Sequence, residues 1–180
     1  MVRSSQENAL EDHEIEQLLN SCKTSDEVFV LTSLVYSGMR VSELAHMHRS
    51  WIKWQQGVIQ IPNEFEGWMP KTKKGARNIP LIEPRLKEVL RSWFTLNERV
   101  AMDRSTLWRI VKRVAEKSGL TRRVYPHSLR ATFATKLAYL GMSEASIQHI
   151  MGWENIKTAG RYVQSSGARA VEEMKQKWKI

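Results

Sequence analysis

The spacing of apolar residues changes period twice along this chain, and that limits the folds open to it. From Glu11 to Met47 the apolar residues recur at helical intervals. Ile15, Leu18 and Leu19 share a face behind an acidic first turn of Glu11, Asp12 and Glu14, which suits the positive end of a helix. Asp26–Ser37 predicts a second, largely buried helix that Gly38 stops, and Val41–Met47 a short third. The pattern then becomes that of strands: Trp51–Trp54 and Val58–Pro62 around Gln55-Gln56-Gly57, and Arg77–Leu81 after a turn at Lys74-Gly75. Beyond Pro84 it is helical again, with Leu86, Val89, Leu90 and Phe94 on one face. Ser105–Ser118 reads as a basic amphipathic helix ended by Gly119, and Ser128–Leu140, Ser143–Met151, a short segment near Tyr162 and Ala168–Trp178 complete the set. The expected fold is mainly α with a small three-stranded antiparallel β-sheet. Residues 1–9 form a loose polar segment, 10–165 one domain, and 166–180 a helical tail whose Val171, Met174 and Trp178 share a face.

Charge and cysteine content narrow the function classes. The formal net charge is +9, from 28 Lys plus Arg against 19 Asp plus Glu, which favours a polyanionic partner. Cys22 is the single cysteine, so no internal disulfide can form, and a reducing cytoplasm is the simple compartment. It lies in a helical stretch and reads as a partly buried thiol. No apolar run approaches the roughly 20 residues of a membrane-spanning helix, and the N-terminus lacks the apolar core of a secretory signal. The histidines do not pair with cysteines or carboxylates at metal-ligand spacing, and no glycine-rich phosphate loop is present, so neither a metal nor another cofactor is expected.

Against that background a few chemically capable residues fall in order. Arg40 sits in GMRVSEL, with Glu43 three residues on and on the same helical face. Lys71 sits in PKTKKGARNIPL, a charged hairpin that also carries Lys73 and Lys74, just before Arg77 at the start of the third strand. His127 and Arg130 share a face at the start of a helix in PHSLR, Trp153 follows Gly152, and Tyr162 lies nine residues later. Taken singly, each has an ordinary reading: a surface ion pair, a solvated hairpin, a capped helix, a core tryptophan, a half-buried tyrosine. Tyr36, Tyr125 and Tyr139 keep that last reading, and His149 reads as helical surface or packing.

Together the pieces resemble the catalytic domain of tyrosine recombinases, the phage integrase family, from about residue 10 to about residue 165. The resemblance implies that Arg40 and Arg130 bind a scissile DNA phosphate, that Glu43 supports Arg40, and that Trp153 reaches a phosphate oxygen through its indole N–H. It implies Tyr162 as nucleophile, His127 as acceptor of the phenol proton, and Lys71 as donor to the leaving 5′ oxygen, with Lys73 and Lys74 as alternatives. The family often carries a second histidine where this chain has Ala131, a departure expected to change packing and not chemistry. The implied reaction is metal-independent strand cleavage and rejoining through a 3′-phosphotyrosyl link, without ATP. Lys73, Lys74, Arg77, Lys112, Arg113, Arg122 and Arg123 are candidate contacts to the DNA backbone. The implied partners are double-stranded DNA and further copies of the chain, as a tetramer on DNA from a free monomer, with the tail either packed on its own domain or exchanged between subunits.

Type IB topoisomerases resemble the chain more loosely, since the HSLR and GW strings fit the recombinases better. A basic helical protein that binds DNA without cutting it is the rival from another class, and a metal-dependent nuclease lacks its carboxylate cluster. Full integrases usually carry an N-terminal DNA-clamping domain. This sequence starts about 40 residues before Arg40, which fits a catalytic-domain fragment or a minimal relative.

Overall fold

The structure, a computed structural model, describes residues 9–167 and Met174. Its elements are α1 (Asp12–Asn20), α2 (Ser25–Ser37), α3 (Val41–Ala45), β1 (Ile52–Lys53), β2 (Val58–Ile61), β3 (Arg77–Pro80), α4 (Pro84–Leu96), α5 (Arg104–Ser118), α6 (Pro126–Tyr139), α7 (Glu144–Met151) and α8 (Ile156–Ser166). The three strands form one antiparallel sheet in the order β1-β2-β3, with Ile59 opposite Ile52 on one side and Ile79 on the other. The mainly helical fold with its small sheet is therefore as expected. The tail helix anticipated at Ala168–Trp178, with Val171 and Trp178, lies outside the described residues apart from Met174.

Local chemistry sets the helix ends. Each of α2, α5, α7 and α8 starts on a side-chain oxygen that takes an otherwise unpaired N–H: Thr24 from Glu27, Asp103 from Thr106, Ser143 from Ser146 and Asn155 from Lys157. In α1 the Glu14 carboxylate reaches back to the Glu11 N–H at 2.9 Å. Pro126 opens α6, where its missing N–H costs nothing. Gly38 and Gly152 end α2 and α7 in the left-handed conformation, at φ of 61° and 60°.

Two details depart from the periodicity. β1 is only two residues long because Arg49–Trp51 winds into a 3-10 turn, which buries the Trp51 indole. The connection from β2 to β3 carries a second, minute pairing in which Phe65 and Trp68 exchange backbone hydrogen bonds across Glu66-Gly67. Both turn residues have positive φ, the geometry of a two-residue hairpin. Phe65 and Trp68 pack on Trp51, and the rings of His46 and His48 lie 5.1 Å and 5.0 Å from Trp68 and Phe65. This aromatic cluster anchors the connection and leaves its tip, Lys71 to Gly75, against the end of α7.

The core divides into two clusters. The larger is built on α2, which is buried along most of its length and packs on α4, α5 and α6, with Leu18, Leu44, Ile59 and Ile79 from the flanking elements. The smaller joins α6, α7 and α8 through Ala134, Ile147, Met151, Ala159 and Tyr162. Cys22 is half-buried, and desolvation raises its thiol pKa to about 11, so it is not a reactive thiolate at neutral pH. Among the described residues no helix is long and apolar enough to cross a membrane.

Candidate active site

Gly38 and Gly152 bring the carbonyl ends of α2 and α7 together, and two arginines close on them. Arg130, on α6, donates from Nη1 to the Gly38 carbonyl and from Nη2 to that of Met151. Arg40, just beyond Gly38, donates from Nη2 to the Gly152 carbonyl at 2.9 Å and from Nη1 to Glu43 Oε1 at 2.8 Å. Its backbone N–H meets the other Glu43 oxygen at 2.7 Å. Helix C-termini are partly negative, so each guanidinium sits where backbone dipoles favour it. Arg130 is buried and Arg40 half-buried.

Glu43 is fully buried, yet it remains ionised. Burial pushes its pKa up, but the hydrogen bonds from Arg77, then the charges of Arg77, Arg130 and Arg40, outweigh this and hold it at about 2. Arg130 moves the other way. Burial, then the charges of Arg40 and Arg77, bring its pKa down to about 9, while Glu43 and Tyr162 oppose the fall. It stays cationic at neutral pH. Three guanidiniums therefore surround one carboxylate, and the site keeps a surplus of positive charge in a region of low dielectric.

Arg77 corrects an expectation. The sequence makes it a candidate contact to the DNA backbone, but its side chain is only 1% exposed and grips Glu43 with both ends of its fork, at 2.8 Å and 2.9 Å. The cause is the period of the strand: Arg77 shares its sheet face with Ile79, and that face is buried. The alternation Arg77, Ile79, Leu81 was the available signal, masked by the lysines just before it.

The remaining residues gather as follows. Tyr162, on α8, is buried and stacks on Trp153, with ring centroids 5.3 Å apart and planes 18° apart. The Arg130 guanidinium carbon lies 5.8 Å from the Trp153 ring centre. His127, in the first turn of α6, has part of its side chain in water. Desolvation of the rest, then the charge of Arg130, hold its pKa below the usual 6.5, so it is a neutral acceptor at pH 7. Ala131 is buried in the smaller core cluster. His149 is exposed on α7.

Lys71, Lys73 and Lys74 are exposed on the hairpin tip. The tip itself is fixed: Thr72 Oγ1 donates to the Gly152 carbonyl at 3.4 Å, and Gly75 N–H to Thr72 O at 2.8 Å. The other basic candidates differ in availability. Lys112 and Arg123 are exposed, and Lys112 lies 3.8 Å from Glu116. Arg113 donates to the buried Glu27 at 3.1 Å. Arg122 reaches Glu14 at 2.9 Å, Glu11 at 3.5 Å and the Ala9 carbonyl at 3.1 Å. Among the described residues no group of three or more His, Cys, Asp or Glu is placed to hold a metal ion. Sequence reasoning missed the backbone's part. The carbonyls of Gly38, Met151 and Gly152 orient the arginines, and no side-chain pattern announces a carbonyl.

Comparison with known proteins bears on the family and the fold. A tyrosine recombinase of Pseudothermotoga lettingae is 30% identical over 161 residues, 83% of this chain and 54% of that protein. Tyrosine recombinase XerA of Saccharolobus solfataricus is 29% identical over 167 residues, 89% of this chain and 53% of that protein. The chain thus spans about half the length of these curated relatives. The crystal structure of XerA recombinase superposes with a TM-score of 0.72 at 25% identity, over 96% of this chain and 63% of that one. The Tn1549 transposon integrase, solved in complex with transposon right-end DNA, shares the fold with a TM-score of 0.72 at 21% identity, over 92% of this chain and 65% of that one. The family model described as the phage integrase family matches residues 8–169. The chain belongs to the phage integrase family.

Proposed function

We propose that this domain cleaves and rejoins DNA at specific sites through a tyrosyl–DNA intermediate. The observation that carries the reading is the charge imbalance: Arg40, Arg77 and Arg130 share the one carboxylate of Glu43. Buried charge without a partner is costly, and an anionic phosphodiester beside Arg40 and Arg130 would complete the set. An arginine fork matches two phosphate oxygens and does not lose its proton at neutral pH.

The step follows from the residues at hand. The Tyr162 oxygen attacks phosphorus, its proton passes to His127, and a P–O bond forms as the bond to the 5′ oxygen breaks. Lys71, or one of its neighbours Lys73 and Lys74, protonates the departing 5′ oxygen. Arg40 and Arg130 stabilise the charge that accumulates on the non-bridging oxygens, and Trp153 adds an indole N–H, a donor that cannot shuttle a proton. The 3′-phosphotyrosyl bond conserves the energy of the broken link, so a 5′-OH from a partner strand reverses the reaction. Glu43 holds Arg40. Double-stranded DNA is the proposed partner in a reducing cytoplasm, with copies of the chain assembling as a tetramer on two duplexes. The tail from residue 166 is the proposed segment for exchange between copies.

Trapping the intermediate tests the reading. Supercoiled plasmid carrying the flanking genomic DNA is incubated with the protein, quenched with SDS, and examined for protein attached to DNA. A nucleotide on Tyr162 by mass spectrometry, absent in Tyr162→Phe, is the expected result. An adduct that persists in Tyr162→Phe would falsify the assignment of the nucleophile. Tight binding of the plasmid with no adduct, also after restoring any upstream coding sequence, would identify a module that binds and does not cut.

A further inference from the structure

Arg77 joins three parts of the molecule that the sequence separates. Its Nε donates to the Ile150 carbonyl at 2.7 Å, near the end of α7. Its Nη1 donates to Glu43 Oε1 at 2.8 Å and to the Gly75 carbonyl at 2.6 Å, and its Nη2 to Glu43 Oε2 at 2.9 Å. One buried group thus ties the lysine hairpin, through Gly75, to the acid that orients Arg40 and to the helix end that orients Arg130.

The packing around these bonds leaves no slack. A Cβ on Gly152 would lie 2.8 Å from Arg77 Cδ and 2.8 Å from the Lys74 carbonyl oxygen. A Cβ on Gly75 would collide with Pro70. The hairpin tip carries Lys71, Lys73 and Lys74 in four residues, and like charges this close repel. Without a fixed anchor such a tip would sample many positions. A general acid acts only within hydrogen-bond reach of the atom it protonates, and a misplacement of about 1 Å can cost about 10²-fold in rate.

We infer that Arg77 is a positioning residue, which sets the lysine hairpin in register with the phosphate-binding arginines so that proton delivery to the leaving 5′ oxygen depends on it. This rests on the strand-cleavage reading above. With its side chain only 1% exposed, Arg77 acts through the hairpin and Glu43 and not as a contact to DNA.

Leaving-group chemistry separates this role from a general weakening of the fold. When the bridging 5′ oxygen is replaced by sulfur, attack by Tyr162 breaks a P–S bond and the electron pair leaves on sulfur. A thiol has a pKa near 8.5, so the thiolate departs without a proton donor. Single-turnover cleavage is measured on a synthetic duplex spanning the cleavage point mapped on the plasmid, with oxygen or sulfur at the bridge. The variants are Arg77→Gln, Arg77→Lys, which keeps a charge beside Glu43 but loses the fork, and Ala in place of Lys71, Lys73 and Lys74 one at a time.

The Arg77 variants are expected to lose about 10²-fold on the oxygen substrate and to return to within about tenfold of the parent on sulfur. Equal losses on both substrates, while one lysine variant recovers on sulfur, would overturn the role of Arg77 and leave the cleavage reading intact. No recovery in any lysine variant would remove the hairpin acid and the inference with it. A DNA-free measurement stands beside these. In folded Arg77→Lys, trypsin should cut after Lys71, Lys73 and Lys74 at least about tenfold faster than in the parent, by analogy with local opening of an unpinned loop. Unchanged protection of the hairpin would also overturn the inference.

Discussion

Glu43 is an acid withdrawn from water whose ionised state is held by arginines from before α3, from β3 and from α6. Its pKa falls from 4.5 to about 2 on folding, which at about 1.4 kcal/mol per pH unit is roughly 3 kcal/mol of stability. Because the folded value is the lower one, this contribution is complete above pH 4.5 and is lost as the pH falls toward 2. Glu43→Gln should therefore cost about 3–5 kcal/mol at pH 7, since it leaves buried guanidiniums without their counter-charge. The difference from the parent should shrink as the pH drops below 4.5. Urea unfolding at pH 7 and pH 3 measures both. A gap that stays constant between the two would show that the carboxylate's charge is not what stabilises the site.

At the scale of elements, the ends of α2 and α7 matter more than their middles. Gly38 has φ of +61°, and a Cβ there would strike the Phe133 ring and approach Met151 Sδ at 3.2 Å. Gly38→Ala should destabilise by about 2–4 kcal/mol, combining the left-handed penalty with overpacking. Gly152→Ala meets the Lys74 backbone oxygen, which cannot swing aside as a side chain can, so it should also displace the hairpin. Chemical denaturation of the two variants, with cleavage rates beside it, gives the ranking. A Gly152→Ala protein with parental cleavage would mean that the hairpin tolerates the shift. Both glycines were legible in the sequence as a helix stop and the residue before Trp153. So were most helices, because long amphipathic stretches such as Leu86 to Phe94 report their own period. The site's charged residues were legible by type and order, through resemblance. What was not legible depended on partners distant in sequence. Arg77 looked like one more cation on a basic hairpin until Glu43, 34 residues away, was seen in its fork. The Phe65–Trp68 turn needs Glu66 at φ of 50°, a conformation supported by aromatic packing and by Arg99, 33 residues away, which donates to both Glu66 carboxylate oxygens. The first strand is shorter than its residues suggest because Trp51, a residue of high strand propensity, ends the 3-10 turn Arg49–Trp51 and is buried there.

Across the whole molecule the candidate site lies where the two core clusters meet, and the basic side chains outside it differ in their partners. Some of these already have acidic partners and some do not, which gives the electrostatics a testable order. Each phosphate contact removed lowers the slope of log K against log salt by about 0.9. Lys112→Gln with Arg123→Gln should reduce that slope by up to about 2, since the exposed Lys112–Glu116 pair at 3.8 Å is weak, whereas Arg113→Gln, whose Nε donates to the buried Glu27, should change it by less. Equal effects would show that the Glu27 pair opens on binding. The arginines that face the proposed phosphate are steadied largely by main-chain carbonyls at Gly38, Met151 and Gly152. A carbonyl is encoded by every codon alike. Part of the frame of this site is therefore invisible to substitution, and a saturation scan should find tolerant stretches around a few intolerant points: the reacting side chains themselves, the buried pair Glu43 and Arg77, and glycines where any side chain would push the frame apart.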